Sequence, residues 1–158
     1  MFEKILIAIG NSAESQIILG SGLTLAEKFG AKVLLLHVMS PLTLTSFSPL
    51  VGGMFPSVND MAIEQYTKEW KESERQGLEQ LQAYAAQAKE RKIDVEISQN
   101  LGDAGRMICG VAKSWSADAI VMGRNQKSML SEIWLGSTSN YVLHHAPCST
   151  LVIQLPAV

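Results

Sequence analysis

Three short stretches of this chain are apolar almost throughout, and they restrict the fold more than any other feature. Ile5-Leu6-Ile7-Ala8-Ile9, Ala31 to Val38 (AKVLLLHV) and Ala119-Ile120-Val121-Met122 do not alternate apolar with polar positions. A strand with one wet face alternates. A strand buried on both faces does not, and two-sided burial belongs to parallel sheets covered by helices. Between the first two runs, Leu19, Leu23, Ala26 and Phe29 recur at helical spacing. Gly10-Asn11-Ser12 breaks the first run, Asn11 or Ser12 can cap the helix, Glu14 falls in its first turn, and Gly30 is placed to stop it. Residues 5–38 therefore read as a β-α-β unit, a crossover that is right-handed in about 98% of cases.

The remaining chain continues the alternation. Residues 40–59 hold Pro41, Pro49, Pro56, Gly52 and Gly53 among Ser and Thr, and read as a long surface loop. Asp60 to Lys92 is helical, with Ile63, Tyr66, Trp70, Leu78, Leu81, Ala85 and Ala88 near one stripe. Gly77 weakens its middle by about 1 kcal/mol relative to Ala. Ile93 to Ile97 alternates strictly, as an edge strand does. Gly102 and Asp103 open a third helix carrying Met107, Ile108, Val111, Ala112 and Trp115. Gly123 to Leu135 reads as a second long loop, Ser137 to His145 as a short helix with Tyr141 and Val142 inward, and Thr150 to Leu155 as the last strand.

Five strands alternating with four helices define an α/β fold: one five-stranded, mostly parallel sheet with helices on both faces. Only the third strand alternates, which places it at an edge and gives the order 3-2-1-4-5. Ligands in such sheets bind outside the carboxyl ends of the strands, at the switch between strands one and four. Gly10-Asn11-Ser12 and the loop beginning at Gly123 flank that crevice.

Composition narrows the class. At 158 residues the chain reads as one domain, residues 1–158, and 13 basic against 15 acidic residues leave a net charge of −2. That balance lacks the basic footprint of a nucleic-acid binder. No apolar run approaches the roughly 20 residues of a membrane span, and the N-terminus does not read as a signal peptide. Two cysteines, Cys109 and Cys148, are too few for a disulfide scaffold or a four-ligand zinc site. The expectation is a soluble cytoplasmic domain with no membrane or nucleic-acid partner.

One stretch can carry chemistry. Gly123-Arg124-Asn125-Gln126-Lys127-Ser128 follows a buried strand, and Gly136-Ser137-Thr138-Ser139 opens a helix. Backbone amides at a helix start are unpaired and sit at the positive end of the dipole, so they favour an anion. Arg124 and Lys127 add positive charge, and three hydroxyls add donors. Two readings stand for Gly136-Ser137: a phosphate site, or a plain helix cap. No Gly-x-Ser-x-Gly elbow, Walker Gly-Lys-Ser or His-Glu-x-x-His is present, so the chain does not read as an enzyme, and any ATP turnover is expected to be slow.

ILIAIGNS at Ile5 to Ser12, LLLHV at Leu34 to Val38, NLGDA at Asn100 to Ala104, ADAIVMG at Ala117 to Gly123 and GSTSNYVLHHAPCSTLVI at Gly136 to Ile153 resemble, together, the universal stress protein family. The resemblance runs over nearly the whole chain and implies a Rossmann-like fold of the adenine nucleotide alpha hydrolase type. It implies ATP or another adenine nucleotide as ligand, with magnesium accompanying ATP. Phosphates would meet Gly123, Arg124, Gly136, Ser137, Thr138 and Ser139, and adenosine would lie near Ile9, Asn11, Val38 and Met122. Two positions depart from the nucleotide-binding pattern: Gln126 stands for its middle Gly, and Gly10 for the Asp that ends strand one. The alternative they support is a nucleotide-free member acting through protein contacts; a weak ATPase is a third reading.

The remaining notable residues read as structure. His37 lies in a buried strand, His144 and His145 sit at a helix C-terminus, and Cys109 and Cys148 read as packed thiols. Trp70 and Trp115 read as core and Trp134 as a loop anchor. Leu151-Val152-Ile153 forms an apolar edge that a second copy would cover, so a homodimer is expected, with an unidentified protein partner beyond it.

Overall fold

Successive side chains of a strand point to opposite faces of the sheet, and here both faces are apolar. Strands β1 (Lys4–Ile9), β2 (Lys32–Met39), β3 (Val95–Leu101), β4 (Ala119–Arg124) and β5 (Ser149–Gln154) form one sheet in the order β3-β2-β1-β4-β5. Every neighbouring pair is parallel. The computed structural model describes residues 1–40, 56–124 and 136–156. Ile5 and Ile7 stand level with Val33 and Leu35 on β2 and with Ala119 and Val121 on β4. That face packs against α1 (Ser15–Phe29) and α2 (Pro56–Glu90) through Leu19, Leu23, Leu81 and Ala88. Leu6, Leu34 and Ile120 face the other way, onto Ile108 and Ala112 of α3 (Ala104–Trp115) and Val142 of α4 (Ser137–His145). The order and the two-layer covering are those expected from the apolar runs.

Several boundaries differ from expectation. Helix α1 is capped by neither Asn11 nor Ser12. A turn intervenes, with the Ser15 amide donating to the Ser12 carbonyl at 3.1 Å, and Glu14 occupies the N-cap position without capping the helix through its side chain. The cause is Ser15, wholly buried, whose hydroxyl donates to the Gly10 carbonyl at 2.7 Å and ties the helix start to the strand end. Gly30 does end the helix, in the left-handed region at φ 63°. Phe29 faces out and meets Phe2 edge to face instead of entering the core.

Helix α2 begins at Pro56, inside the segment read as loop; proline suits a first helical turn because its missing N–H needs no partner there. The rest of that segment, 41–55, lies outside the described residues. Thirty-five residues make a helix about 52 Å long, roughly twice the length of the strands it covers. Among the described residues its buried side chains lie toward its end: Leu81, Tyr84, Ala85 and Ala88 are buried, whereas Ile63 and Leu78 are exposed. Trp70 and Tyr66 are half-buried in the overhanging half, so Trp70 is not a core residue.

Strand β3 is the edge strand expected, but it runs from Val95 to Leu101 instead of 93–97, because Ser98, Gln99 and Asn100 continue the ladder with Leu36, His37 and Val38. Polar residues are tolerated there since one side of an edge strand meets water. Asn100 and Leu101 therefore finish a strand, and Asp103 caps α3 by accepting the Arg106 amide at 2.9 Å. At the other end of the sheet, Asp118 accepts the amides of Glu3 and Lys4, each at 2.9 Å. These two bonds hold its carboxyl below the usual carboxylate range and pin the N-terminus beside β4. Among the described residues no helix is long and apolar enough to cross a membrane.

Gly77 has a role that helix propensity hides. It is buried against β2 and β3, where a Cβ would lie 2.7 Å from His37 Nδ1 and 2.5 Å from Gln99 Oε1. His37 is buried as expected, its Nδ1 3.0 Å from Gln99 Oε1, while Gln99 Nε2 donates to the Glu74 carbonyl. The missing side chain lets α2 approach the sheet. Overpacking costs about 1–3 kcal/mol, more than the roughly 1 kcal/mol that Ala gains in a helix. Gly77→Ala is expected to lower the melting temperature. Gly110→Ala, on the open side of α3 with nothing within 4 Å, should raise it by about 2–4 °C. Thermal denaturation of the two variants against the parent checks both signs.

Candidate functional site

The carboxyl ends of β1 and β4 diverge at the switch point and leave a cavity of about 250 Å³. Ile9 and Gly10 from β1 and its following turn, and Val38 from β2, line one side. Met122 and Gly123 from β4, with Thr138 from α4, line the other. Ala104 and Ile108 of α3 and Ser15 and Ile18 of α1 also line it. Ser12 lines it too, from the turn expected at the crevice, whereas Ala8, Ser15, Ile18, Leu36, Ala104, Ile108 and Leu155 were not among the expected site residues. Ile18 and Ile108 look like any apolar helical position in sequence, and only the convergence of two helices on one switch point brings them to a cavity.

Helix α4 faces this cavity with its N-terminus. The first intrahelical bond runs from the Asn140 amide to the Gly136 carbonyl at 2.9 Å, so the amides of residues 137–139 precede the helical ladder. Gly136 is the N-cap, in extended backbone at φ −48° and ψ 151°, with no side-chain cap bond, and a Cβ there would meet nothing within 4 Å. Gly136 and Ser137 are exposed. Ser139 is buried, and its hydroxyl lies 3.4 Å from the Gly123 carbonyl, which ties the helix start to the end of β4.

Gly123 and Arg124 belong to β4 and not to the loop expected from Gly123 onward. They pair with Ile153 and Gln154 of β5. Sheet pairing extends there because β5 is long enough to match it. Arg124 Nε is buried and has no hydrogen-bond partner among the described residues. A buried cationic donor left unpaired is costly, and an anion at this place would satisfy it. Gln126, Lys127 and Trp134 lie outside the described residues.

Two glycines lining the cavity do different work. A Cβ on Gly123 would collide with Ile18 Cδ1 and stand 3.1 Å from Leu155 Cδ1, so this glycine serves packing as well as the cavity. A Cβ on Gly10 would meet only Ser15 Oγ, at 3.9 Å, so the departure at that position is not imposed by space. Asn11 does not line this cavity. It borders a second one beyond Val38.

The other titratable groups stay structural. His145 Nδ1 lies 2.9 Å from the Tyr141 carbonyl at the α4 C-terminus, as expected of a residue serving the last turn. Burial pushes the Cys109 and Cys148 thiols up, away from reactive thiolates. Trp115 is half-buried with Lys4 Nζ 5.2 Å from its ring centre. Among the described residues no group of three His, Cys, Asp or Glu gathers to hold a metal.

Comparison with known proteins adds to this geometry. Residues 1–154 match the model of the universal stress protein family. The chain is 31% identical over 157 residues to universal stress protein Sll1388 of Synechocystis, covering 97% of this chain and 98% of that one. A universal stress protein family protein from Arabidopsis thaliana, solved with AMP bound, superposes with a TM-score of 0.66 at 20% identity, over 98% of this chain and 93% of that one. A universal stress protein solved in complex with cAMP gives a TM-score of 0.64 at 16% identity, over 97% of each chain.

Because Gly123 is pressed against Ile18, Gly123→Ala is expected to destabilise the fold by about 1–3 kcal/mol. Urea unfolding would read this as a lower midpoint with an unchanged slope. An unchanged midpoint would show that Ile18 can swing aside.

Proposed function

The chain belongs to the universal stress protein family, and from that membership we propose that it is a regulatory protein whose ligand is an adenine nucleotide bound at the β1/β4 switch point. The observation that carries the reading is the start of α4 at the cavity: Thr138 lines it, residues 137–139 precede the helical ladder, Gly136 leaves the approach clear, and β4, which ends the same wall, closes on Arg124, whose buried Nε has no partner among the described residues. Helix dipole, free amides and guanidinium all favour a phosphate. Ile9, Val38 and Met122 supply the apolar side of the cavity for the nucleoside. Two relatives of the same fold were solved with AMP and with cAMP. The role is that of a ligand-bound regulator in the cytoplasm, with the liganded face presented to a protein partner.

The test is calorimetric titration of AMP and ATP, preceded by a search for nucleotide released when the purified protein is denatured. A dissociation constant in the micromolar range is expected. Gly136→Asp is the informative variant. Aspartate is a good N-cap and suits the helix dipole, so the fold should melt no lower, yet its carboxylate stands where the phosphate would lie. Affinity should fall by at least about tenfold; affinity retained in that variant would remove the site.

A second observation favours self-association. β5 is an edge strand with Leu151 exposed, and an apolar edge invites another strand. We propose a two-fold dimer joined along β5. Sedimentation at micromolar concentration should give a dimer that Leu151→Lys converts to monomer, and a monomeric parent would overturn the proposal.

A further inference from the structure

Beyond Val38 lies a second cavity of about 550 Å³, a size that takes a small organic molecule. Among the described residues Val38 alone lines both cavities, so the second is a separate chamber on the far side of that side chain. One wall is the overhanging half of α2. Tyr66 and Trp70, one helical turn apart, stack with ring centres 6.4 Å apart and planes 26° from parallel. Both are half-buried and neither belongs to a core cluster. Glu69, next to Trp70, is the only charged residue at this cavity, and among the described residues no basic side chain lines it. Gln65 Nε2 donates to Glu69 Oε1 at 2.8 Å and steadies the carboxylate, and among the described residues no cation pairs with it. The basic groups of the same half-helix are engaged or outside: Lys68 pairs with Glu64, Arg75 with Glu72 and Glu79, and Lys71 is exposed and lines neither cavity. Asn11 and Ser73 add neutral oxygens that accept hydrogen bonds.

We infer that this second cavity binds an organic ammonium ion, its charged head against the rings of Tyr66 and Trp70, Glu69 as the counter-charge, and Asn11 and Ser73 meeting the polar end of its body. The face of an aromatic ring is electronegative and attracts a cation, most strongly on tryptophan. A quaternary head has no N–H groups to satisfy, so it loses little on leaving water for such a wall. Glu69 is exposed, and exposed charge pairs are screened, so the rings carry the larger share of the attraction. An anion would meet the carboxylate with no basic side chain to offset it, which sets this cavity apart from the phosphate end at α4. The two chambers thus select opposite charges from either side of Val38. The inference does not rest on the nucleotide reading, since the nucleoside is placed in the smaller cavity against Ile9, Val38 and Met122.

Two probes of one shape separate charge from fit: choline, and the neutral alcohol in which carbon replaces its ammonium nitrogen. Each is titrated by NMR shifts into the parent, Trp70→Ala, Trp70→Phe and Glu69→Gln. Trp70 lies outside both core clusters and Glu69 is exposed, so all three variants should fold, which thermal denaturation checks. Choline is expected to bind the parent about tenfold more tightly than the alcohol. Trp70→Ala should weaken choline by about tenfold and Trp70→Phe should restore most of the loss. Glu69→Gln should weaken choline by about threefold and leave the alcohol unchanged. Equal affinities for choline and the alcohol in the parent would overturn the inference, as would a choline affinity indifferent to Trp70→Ala. Competitive displacement of choline by adenosine would overturn it too, because the cavity would then be the nucleoside's. Choline bound with no response to AMP would overturn the nucleotide reading and leave this one standing; AMP bound with no response to choline would do the reverse.

Discussion

The ligand cavities depend on β1 having no wet face. Ile5, Leu6 and Ile7 are wholly buried, one core on each side, and no antiparallel hairpin with a solvated face could accommodate that strand. Once β1 is central, its neighbours must be parallel, since each connection is a helix that returns to the opposite end. Parallel strands bring all their carboxyl ends to one rim. At that rim the chain leaves β1 for α1 on one face and β4 toward α4 on the other, so the two connections part and a crevice opens. The site is the geometric remainder of a sheet covered on both sides.

Glycines then decide how closely the covering layers approach that rim. Gly77 lets α2 settle on His37 and Gln99, and Gly123 lets α1 press Ile18 against the end of β4. Both contacts are tighter than a Cβ would allow. Gly10 and Gly136 are the opposite case, with room around them and no demand for a missing side chain. The first pair sets the walls and the second leaves the entrance open. Ser15 completes the frame by bonding the Gly10 carbonyl, so the turn that carries Asn11 is anchored at its base.

The sheet order was legible because it follows from apolar periodicity, which buried strands enforce residue by residue. The site residues Ile9, Gly10, Val38, Met122, Gly123 and Thr138 do converge on one cavity. What sequence misassigned has a common physical origin, in contacts between residues far apart in the chain. The start of α1 moved because Ser15 found the Gly10 carbonyl. Strand β3 lengthened because β2 offered further pairing to Ser98, Gln99 and Asn100. Trp70 looked like core because helical spacing does not tell a packed stripe from an overhanging one; the length of α2 relative to the strands decides that. Gly77 looked like a weakness because propensity scales measure a helix in water, not one lying on a histidine.

Of the two departures from the nucleotide-binding pattern, Gln126 lies outside the described residues, and Gly10 is the one whose surroundings the structure describes. Gly10 lines the smaller cavity from an exposed turn, where a carboxylate would compete with water and contribute little to holding a ligand. The proposed anion end would be carried by backbone amides and a helix dipole, which no substitution at Gly10 can alter. A ligand site of the proposed kind, with the anion held by backbone amides at α4, would tolerate the change at position 10.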